Sequence, residues 1–313
     1  MFLRPRSLFV ILLLGWGIAG RPAPGQDQAQ EITHQIFVRA ITISVTVQDR
    51  SGRYINDLAR EDFTVLENGR KKDITYFEHD FNAPLSLTVL LDVSGSMALE
   101  DKLADCRAAL RTLVTNWLAP RDEAALLVFA DGQVEVAAPH AVDKARFLAE
   151  LDKAAGYGRT ALNDAVAVSS EFADRGGGEK RAVLLLTDGI ENDSRTTPDQ
   201  ALAIARRTDM PIYTIGYKVP LSERLLQAHK RKAGATPAGL IDDLRKFSEA
   251  TGGKAFILDT LPRLKSALGE IRRELSQQYL LGYTSNKKPG ENYRSLQVLT
   301  SHSRYRVRTR QGY

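Results

Sequence analysis

Leu85-Ser86-Leu87-Thr88-Val89-Leu90-Leu91-Asp92-Val93-Ser94-Gly95-Ser96-Met97 runs from an apolar stretch straight into a polar turn. That order is expected of a buried strand handing its chain to a loop. One carboxylate and two hydroxyls, spaced two apart with Gly95 at the bend, offer only hard oxygen donors. Such donors suit Mg2+, Mn2+ or Ca2+ better than zinc. The string alone decides little, because Asp-x-Ser-x-Ser arises by chance in roughly one chain in ten of this length, and a polar turn capping a helix is the plain alternative.

Two later segments change the weighting. Gly158-Arg159-Thr160-Ala161-Leu162 is predicted to put the Thr160 hydroxyl at the N-cap of a helix. Ala182 to Leu186 is an apolar strand ending in Thr187-Asp188-Gly189, so Asp188 is expected at a strand's carboxyl end, as Asp92 is. Open α/β sheets place their ligand crevice outside those ends. Separate loops are therefore expected to gather Asp92, Ser94, Ser96, Thr160 and Asp188.

At these residues the chain resembles the von Willebrand factor type A family, whose metal-ion-dependent adhesion site reads Asp-x-Ser-x-Ser, then Thr, then Asp. All five positions match, within the words Leu-Leu-Asp-Val-Ser-Gly-Ser-Met, Gly-x-Thr-Ala-Leu and Leu-Leu-Thr-Asp-Gly. The resemblance covers about residues 83 to 276. It implies an ion held directly by the two Ser hydroxyls plus Thr160 or Asp188, with water between the ion and the remaining carboxylate. The last coordination position is left for an Asp or Glu of a partner protein.

The chain has 313 residues and is 43% hydrophobic, enough for one large core and a smaller one. Arg4 and Arg6 precede an apolar run, Leu8 to Ala19, followed by small residues. This reads as a signal peptide, residues 1–25, cleaved near Gly20 or Gly25, with an uncleaved anchor as the alternative. No cysteine near that point speaks for a lipoprotein anchor. A secreted, periplasmic or cell-envelope location with no membrane span in the mature chain follows. Cleavage removes Arg4, Arg6 and Arg21, so 43 basic residues become 40 against 38 acids. The mature charge is near neutral, and no basic helix with interleaved aromatics points to nucleic acid. Cys106 is the only cysteine, which excludes an intrachain disulfide. It falls in the series Leu99, Leu103, Cys106, Leu110, Leu113, Trp117 and reads as one buried position on a helix face.

Residues 83–276 alternate strand and helix, which predicts a doubly wound, Rossmann-like, mostly parallel α/β sheet. The expected order is strand Leu85–Leu91, helix Leu99–Leu118, strand Asp122–Phe129, antiparallel edge Gln133–Ala137, helix Val142–Ala154, and a helix from Thr160 to near Gly176. Strand Lys180–Leu186, helix Pro198–Thr208, strand Pro211–Tyr217, helix Leu240–Thr251, strand Lys254–Leu258 and a last helix from Leu261 follow. Lys218 to Gly239 is a long irregular connection in which Ser222–Lys232 reads as a solvated helix. Gly176-Gly177-Gly178 lacks the setting and the Lys of a phosphate cradle and reads as a loop. Glu191 and Asp193 read as polar loop residues rather than ligands.

The flanks, residues 26–82 and 277–313, read as short strands: Ile36–Val47, Phe63–Leu66 and Asp73–Phe77, then Gln278–Thr284, Tyr293–Leu299 and Tyr305–Arg310. Neither flank holds enough strands for a core, so together they are expected to form one small antiparallel β-sandwich into which the α/β segment is inserted. The layout is similar to an integrin β-subunit hybrid domain, and the flank words resemble secreted bacterial proteins related to the same family.

Three function classes follow. The first is a metal-dependent protein-binding or adhesion module. A structural envelope scaffold is the second. A metal-dependent hydrolase or phosphatase is the third, disfavoured because His34, His79, His140, His229 and His302 are scattered, no His-Glu-x-x-His occurs and no second aspartate follows Asp92 two positions on.

Overall fold

The computed structural model describes residues 39–80, 82–189, 191–219, 237–288, 291 and 293–313. The expected signal peptide, the start of the first strand, His34, His229 and most of the 218–239 connection lie outside them. In chain order the strands are β1 (Arg39–Gln48), β2 (Phe63–Glu67), β3 (Arg70–Lys72), β4 (Ile74–Glu78), β5 (Leu85–Asp92), β6 (Glu123–Ala130), β7 (Gln133–Ala141), β8 (Lys180–Thr187), β9 (Ile212–Tyr217), β10 (Ala255–Leu258), β11 (Tyr279–Ser285), β12 (Leu296–Thr300) and β13 (Arg306–Arg308). The helices are α1 (Lys102–Thr112), α2 (Ala145–Lys153), α3 (Leu162–Ala173), α4 (Pro198–Ala205), α5 (Pro237–Thr251) and α6 (Leu261–Ser276).

A six-stranded sheet in the order β10-β9-β8-β5-β6-β7 forms the centre. All its pairings are parallel except β6 with β7. Every residue of β5 is buried, as expected of a central parallel strand covered on both faces, and the polar Ser86 and Thr88 are buried with the rest. Its two faces feed two cores. Leu85, Leu87, Val89 and Leu91 pack with Leu103, Cys106 and Leu110 of α1 and with Leu264, Leu268 and Ile271 of α6. Leu90 faces the other way, toward Ala165 and Val166 of α3 and Leu244 and Phe247 of α5.

The flanks add two smaller antiparallel sheets, β13-β1-β11-β4 and β12-β2-β3. Strands from both ends of the sequence pair directly: β1 with β11, and β2 with β12. Ile41, Ile43, Val45, Phe63, Val65, Tyr279, Leu281, Leu296 and Val298 form one apolar cluster between these sheets. The described residues fall within a single compact unit.

Several boundaries differ from expectation. The helix expected from Leu99 begins at Lys102, because Glu100 and Asp101 both adopt left-handed backbone angles that a helix cannot contain. Its last turn, Leu113–Trp117, widens into a π-turn. Thr160 is not a helix cap: α3 is preceded by Ala161, and the Thr160 backbone instead pairs with Asn192. β3 was not expected, since Arg70-Lys71-Lys72 carries no apolar alternation. It forms because Asn68 and Gly69, both with positive φ, make the two-residue turn that returns the chain along β2.

Candidate metal centre

Asp92 closes β5 and Asp188 directly follows β8, the strand paired with β5 in parallel. The two carboxylates therefore meet at the carboxyl edge of the sheet, and both are fully buried. Asp92 Oδ1 accepts from the Ser94 backbone N–H at 2.8 Å, and its Oδ2 accepts from the Thr187 hydroxyl at 2.5 Å. The Gly189 N–H donates in turn to Thr187 Oγ1 at 2.8 Å. The Ser94 and Ser96 hydroxyls lie 3.1 Å apart.

A second loop closes over this turn. Gly95 N–H donates to the Gly158 carbonyl at 3.0 Å, and Tyr157 N–H donates to the Val93 carbonyl at 2.8 Å. The approach depends on glycine: a Cβ on Gly156 would stand 2.7 Å from the Ala98 side chain, and one on Gly158 would enter the Asp131 carboxyl group. This loop carries Thr160, which is buried and held by its backbone. Thr160 N–H donates to Asn192 Oδ1 at 2.9 Å, and its carbonyl accepts from the Asn192 and Asp193 backbones. The fold thus brings Asp92, Ser94, Ser96 and Asp188 to one sheet edge and lays the Thr160 loop against them. Among the described residues the Thr160 hydroxyl is not hydrogen-bonded to the other four. Glu191 serves as a loop brace, accepting from the backbone of Asp193 and from the backbone and hydroxyl of Ser194.

Burial, and secondarily the charge of Asp188, push the Asp92 carboxyl well above the usual carboxylate range. Two buried carboxylates side by side call for a counter-charge. Part of it is present in a residue that the sequence reading overlooked: Lys102 Nζ donates to Asp188 Oδ2 at 3.0 Å, and both groups are buried. A lysine after Glu100-Asp101 looks like part of an exposed charged turn, and no spacing signal distinguishes it. Asp188 Oδ1 is buried without a hydrogen-bond partner among the described residues. A solvent-free carboxylate oxygen beside a second carboxylate and paired hydroxyls fits a small hard cation. No three His, Cys, Asp or Glu side chains converge among the described residues. The five-residue set contains only two such groups, its other donors being hydroxyls. Cys106 is buried on the core side of α1, its thiol pushed far up by burial first and by Asp105, Asp92 and Asp188 next, the setting of a packing cysteine. The described histidines serve packing: His79 stacks on Tyr279, His140 on Phe172, and His302 meets Tyr305 edge-on.

Residues 87–191 match the family described as von Willebrand factor type A domain, and a domain of this type is present in the chain. The chain is similar to a UPF0353 protein of Mycolicibacterium paratuberculosis, with 27% identity over 228 residues covering 66% of each. It is also similar to an uncharacterized protein of Borreliella burgdorferi, with 25% identity over 185 residues, 55% of this chain and 53% of that one. The chain thus spans somewhat less than two thirds of the first relative and about half of the second. Among solved structures it shares its fold with proximal thread matrix protein 1 of the mussel byssus, at TM-score 0.50 and 18% identity over 68% of this chain and 50% of that one. BatB of Bacteroides thetaiotaomicron aligns at TM-score 0.46 and 19% identity, over 61% of this chain and 98% of that one. The mixed central sheet with flanking antiparallel sheets is accordingly a Rossmann-like type A core with additional β-structure.

Proposed function

We propose that the chain is a metal-dependent protein-binding module rather than an enzyme. Asp92, Ser94, Ser96, Thr160 and Asp188 hold a divalent cation whose open position takes an Asp or Glu of a partner protein. The observation that carries this reading is Asp188 Oδ1, buried and unpartnered beside a second buried carboxylate. The all-oxygen donor set favours Mg2+, with Mn2+ and Ca2+ next. The mussel protein of the same fold is described with a zinc-occupied adhesion-site motif, which supports the use of this loop arrangement for a dication.

The rim also supports a protein partner. Leu99 and Tyr157 belong to the two loops that meet over the site and remain 49% and 51% exposed. Apolar groups around a charged centre suit a macromolecular surface better than a small solute. Among the described residues no helix is long and apolar enough to cross a membrane. The location proposed is outside the cytoplasmic membrane or within the envelope, and the domain division proposed is 26–82 with 277–313 around 83–276.

The test is calorimetric titration of the purified chain with Mg2+ and Mn2+, followed by capture of envelope proteins with Mg2+ or with chelator. Ion binding that is the same with and without Asp92 overturns the reading. Capture that ignores chelator points to a scaffold whose ion, if bound, only ties loops.

A further inference from the structure

Lys102 is an uncommon residue to find 4% exposed at the first position of a helix. The chain reaches that position through Glu100 and Asp101, at φ 54 and φ 57, two successive left-handed residues that are not glycine. Side chains resist that conformation, so a turn that uses it twice needs support from its surroundings. Support is visible: the Glu100 carbonyl accepts from Lys218 Nζ at 2.6 Å, and the Asp101 carbonyl accepts from Asp105 N–H at 2.8 Å. The result of the turn is that the Lys102 ammonium lies inside, 3.0 Å from one oxygen of Asp188, and the other oxygen has no partner.

We propose that Lys102 is a built-in counter-cation of the ion site, which stabilises the two carboxylates before an ion arrives, weakens the grip on the ion, and leaves the loaded site positively charged. The inference rests on the ion-site reading above. With both aspartates ionised, the pocket holds two negative charges and one positive. Adding a dication makes it singly positive, whereas without Lys102 it would be neutral. A singly positive centre set among buried groups attracts an anionic group more strongly than a neutral centre does. Lys102 thereby biases the open coordination position toward a carboxylate of the partner instead of a water or a neutral amide. It acts through Asp188 and through charge, as a positioning and specificity-determining residue.

The experiment compares the full chain with Lys102→Met and Lys102→Arg. Mn2+ affinity is measured by calorimetry with and without acetate, which stands in for the partner carboxylate, and folding is followed by circular dichroism. Lys102→Met is expected to bind Mn2+ about tenfold more tightly, to unfold at lower temperature in chelator, and to recover that loss when Mn2+ is added. Acetate should raise Mn2+ affinity in the natural chain and do so less in Lys102→Met, while Lys102→Arg stays near the natural behaviour in both. A folded Lys102→Met with unchanged or weaker Mn2+ affinity overturns the proposal, as does a variant misfolded with and without Mn2+, which would mark Lys102 as purely structural. Failure of the natural chain and Lys102→Met alike to bind Mn2+ overturns the ion-site reading itself.

Discussion

Glu274, near the end of α6, forms a buried ion pair with Arg308 of β13, fastening the last helix of the α/β layer to the flanking antiparallel sheet. The same carboxylate accepts from the Tyr213 hydroxyl of β9 at 2.5 Å, and Gln278, just beyond α6, donates to that hydroxyl at 3.2 Å. The helix end is therefore held by both sheets through one polar cluster. In type A domains that switch, the resemblance implies that the final helix slides. Here a slide of that helix would have to break this cluster within a buried setting.

Glu274→Ala is accordingly expected to cost about 2–4 kcal/mol in urea unfolding, since it strands a mostly buried arginine. The lower end reflects the 28% of the Arg308 side chain that stays exposed. Pairing it with Arg308→Met should restore part of the loss. Mn2+ affinity should change less than twofold in either variant. A shift of tenfold would reveal coupling between helix position and ion site, and a sliding helix would gain favour.

Asp92→Asn should abolish Mn2+ binding in calorimetry while raising the thermal midpoint of the ion-free protein. The neutral amide removes one of two neighbouring buried charges and retains an acceptor for the Ser94 N–H. A gain of about 1–2 kcal/mol is the expected scale for relieving repulsion of this kind. Loss of stability in the ion-free state would mean that the Thr187 and Ser94 hydrogen bonds outweigh the repulsion.

The sequence made the sheet and the paired aspartates readable because both follow from local rules. β5 closes on Asp92 and Asp188 directly follows β8, each after a run of apolar residues. Lys102 was hidden, since its burial depends on a left-handed turn at Glu100-Asp101 that ordinary propensity disfavours. The place of Thr160 before Leu162 predicts a cap, whereas the Asn192 side chain accepts from its backbone N–H, a partner 32 residues away that no window of local sequence contains. Too few strands on each flank point to joint β-structure, but the pairing of β1 with β11 and of β2 with β12 depends on a register that neither flank carries by itself.

Acid should loosen the flanking sheets first. Glu67 is buried, and burial alone would raise its carboxyl, yet Lys72, Ser285, Tyr313 and Arg294 together hold it down to about 2 from an ordinary 4.5. A depressed folded-state value adds stability that is fully present above pH 4.5 and lost as pH falls toward 2. The contribution is on the order of 3 kcal/mol at neutral pH. Glu67→Gln should lower stability at pH 7 by a comparable amount and flatten the decline between those values. An acid limb as steep in Glu67→Gln as in the natural chain would assign the acid sensitivity to other carboxylates.

Removing residues 1–80 should yield a chain that aggregates, because β11 loses β1 and β4 and β12 loses β2, leaving open strand edges that template association. A chain of residues 82–276, lacking both flanks, should instead remain soluble and bind Mn2+. Polar pairs cross the surface it uncovers: Arg310 pairs with Asp209, and Gln278 reaches Tyr213. Its stability should still fall, since Glu274 loses Arg308 and the Ala250 carbonyl loses the Gln311 N–H. Size-exclusion chromatography and thermal unfolding of both chains decide the matter. Aggregation of 82–276 beside a monomeric 81–313 would sink the division into an inserted α/β domain and a sandwich built from both ends.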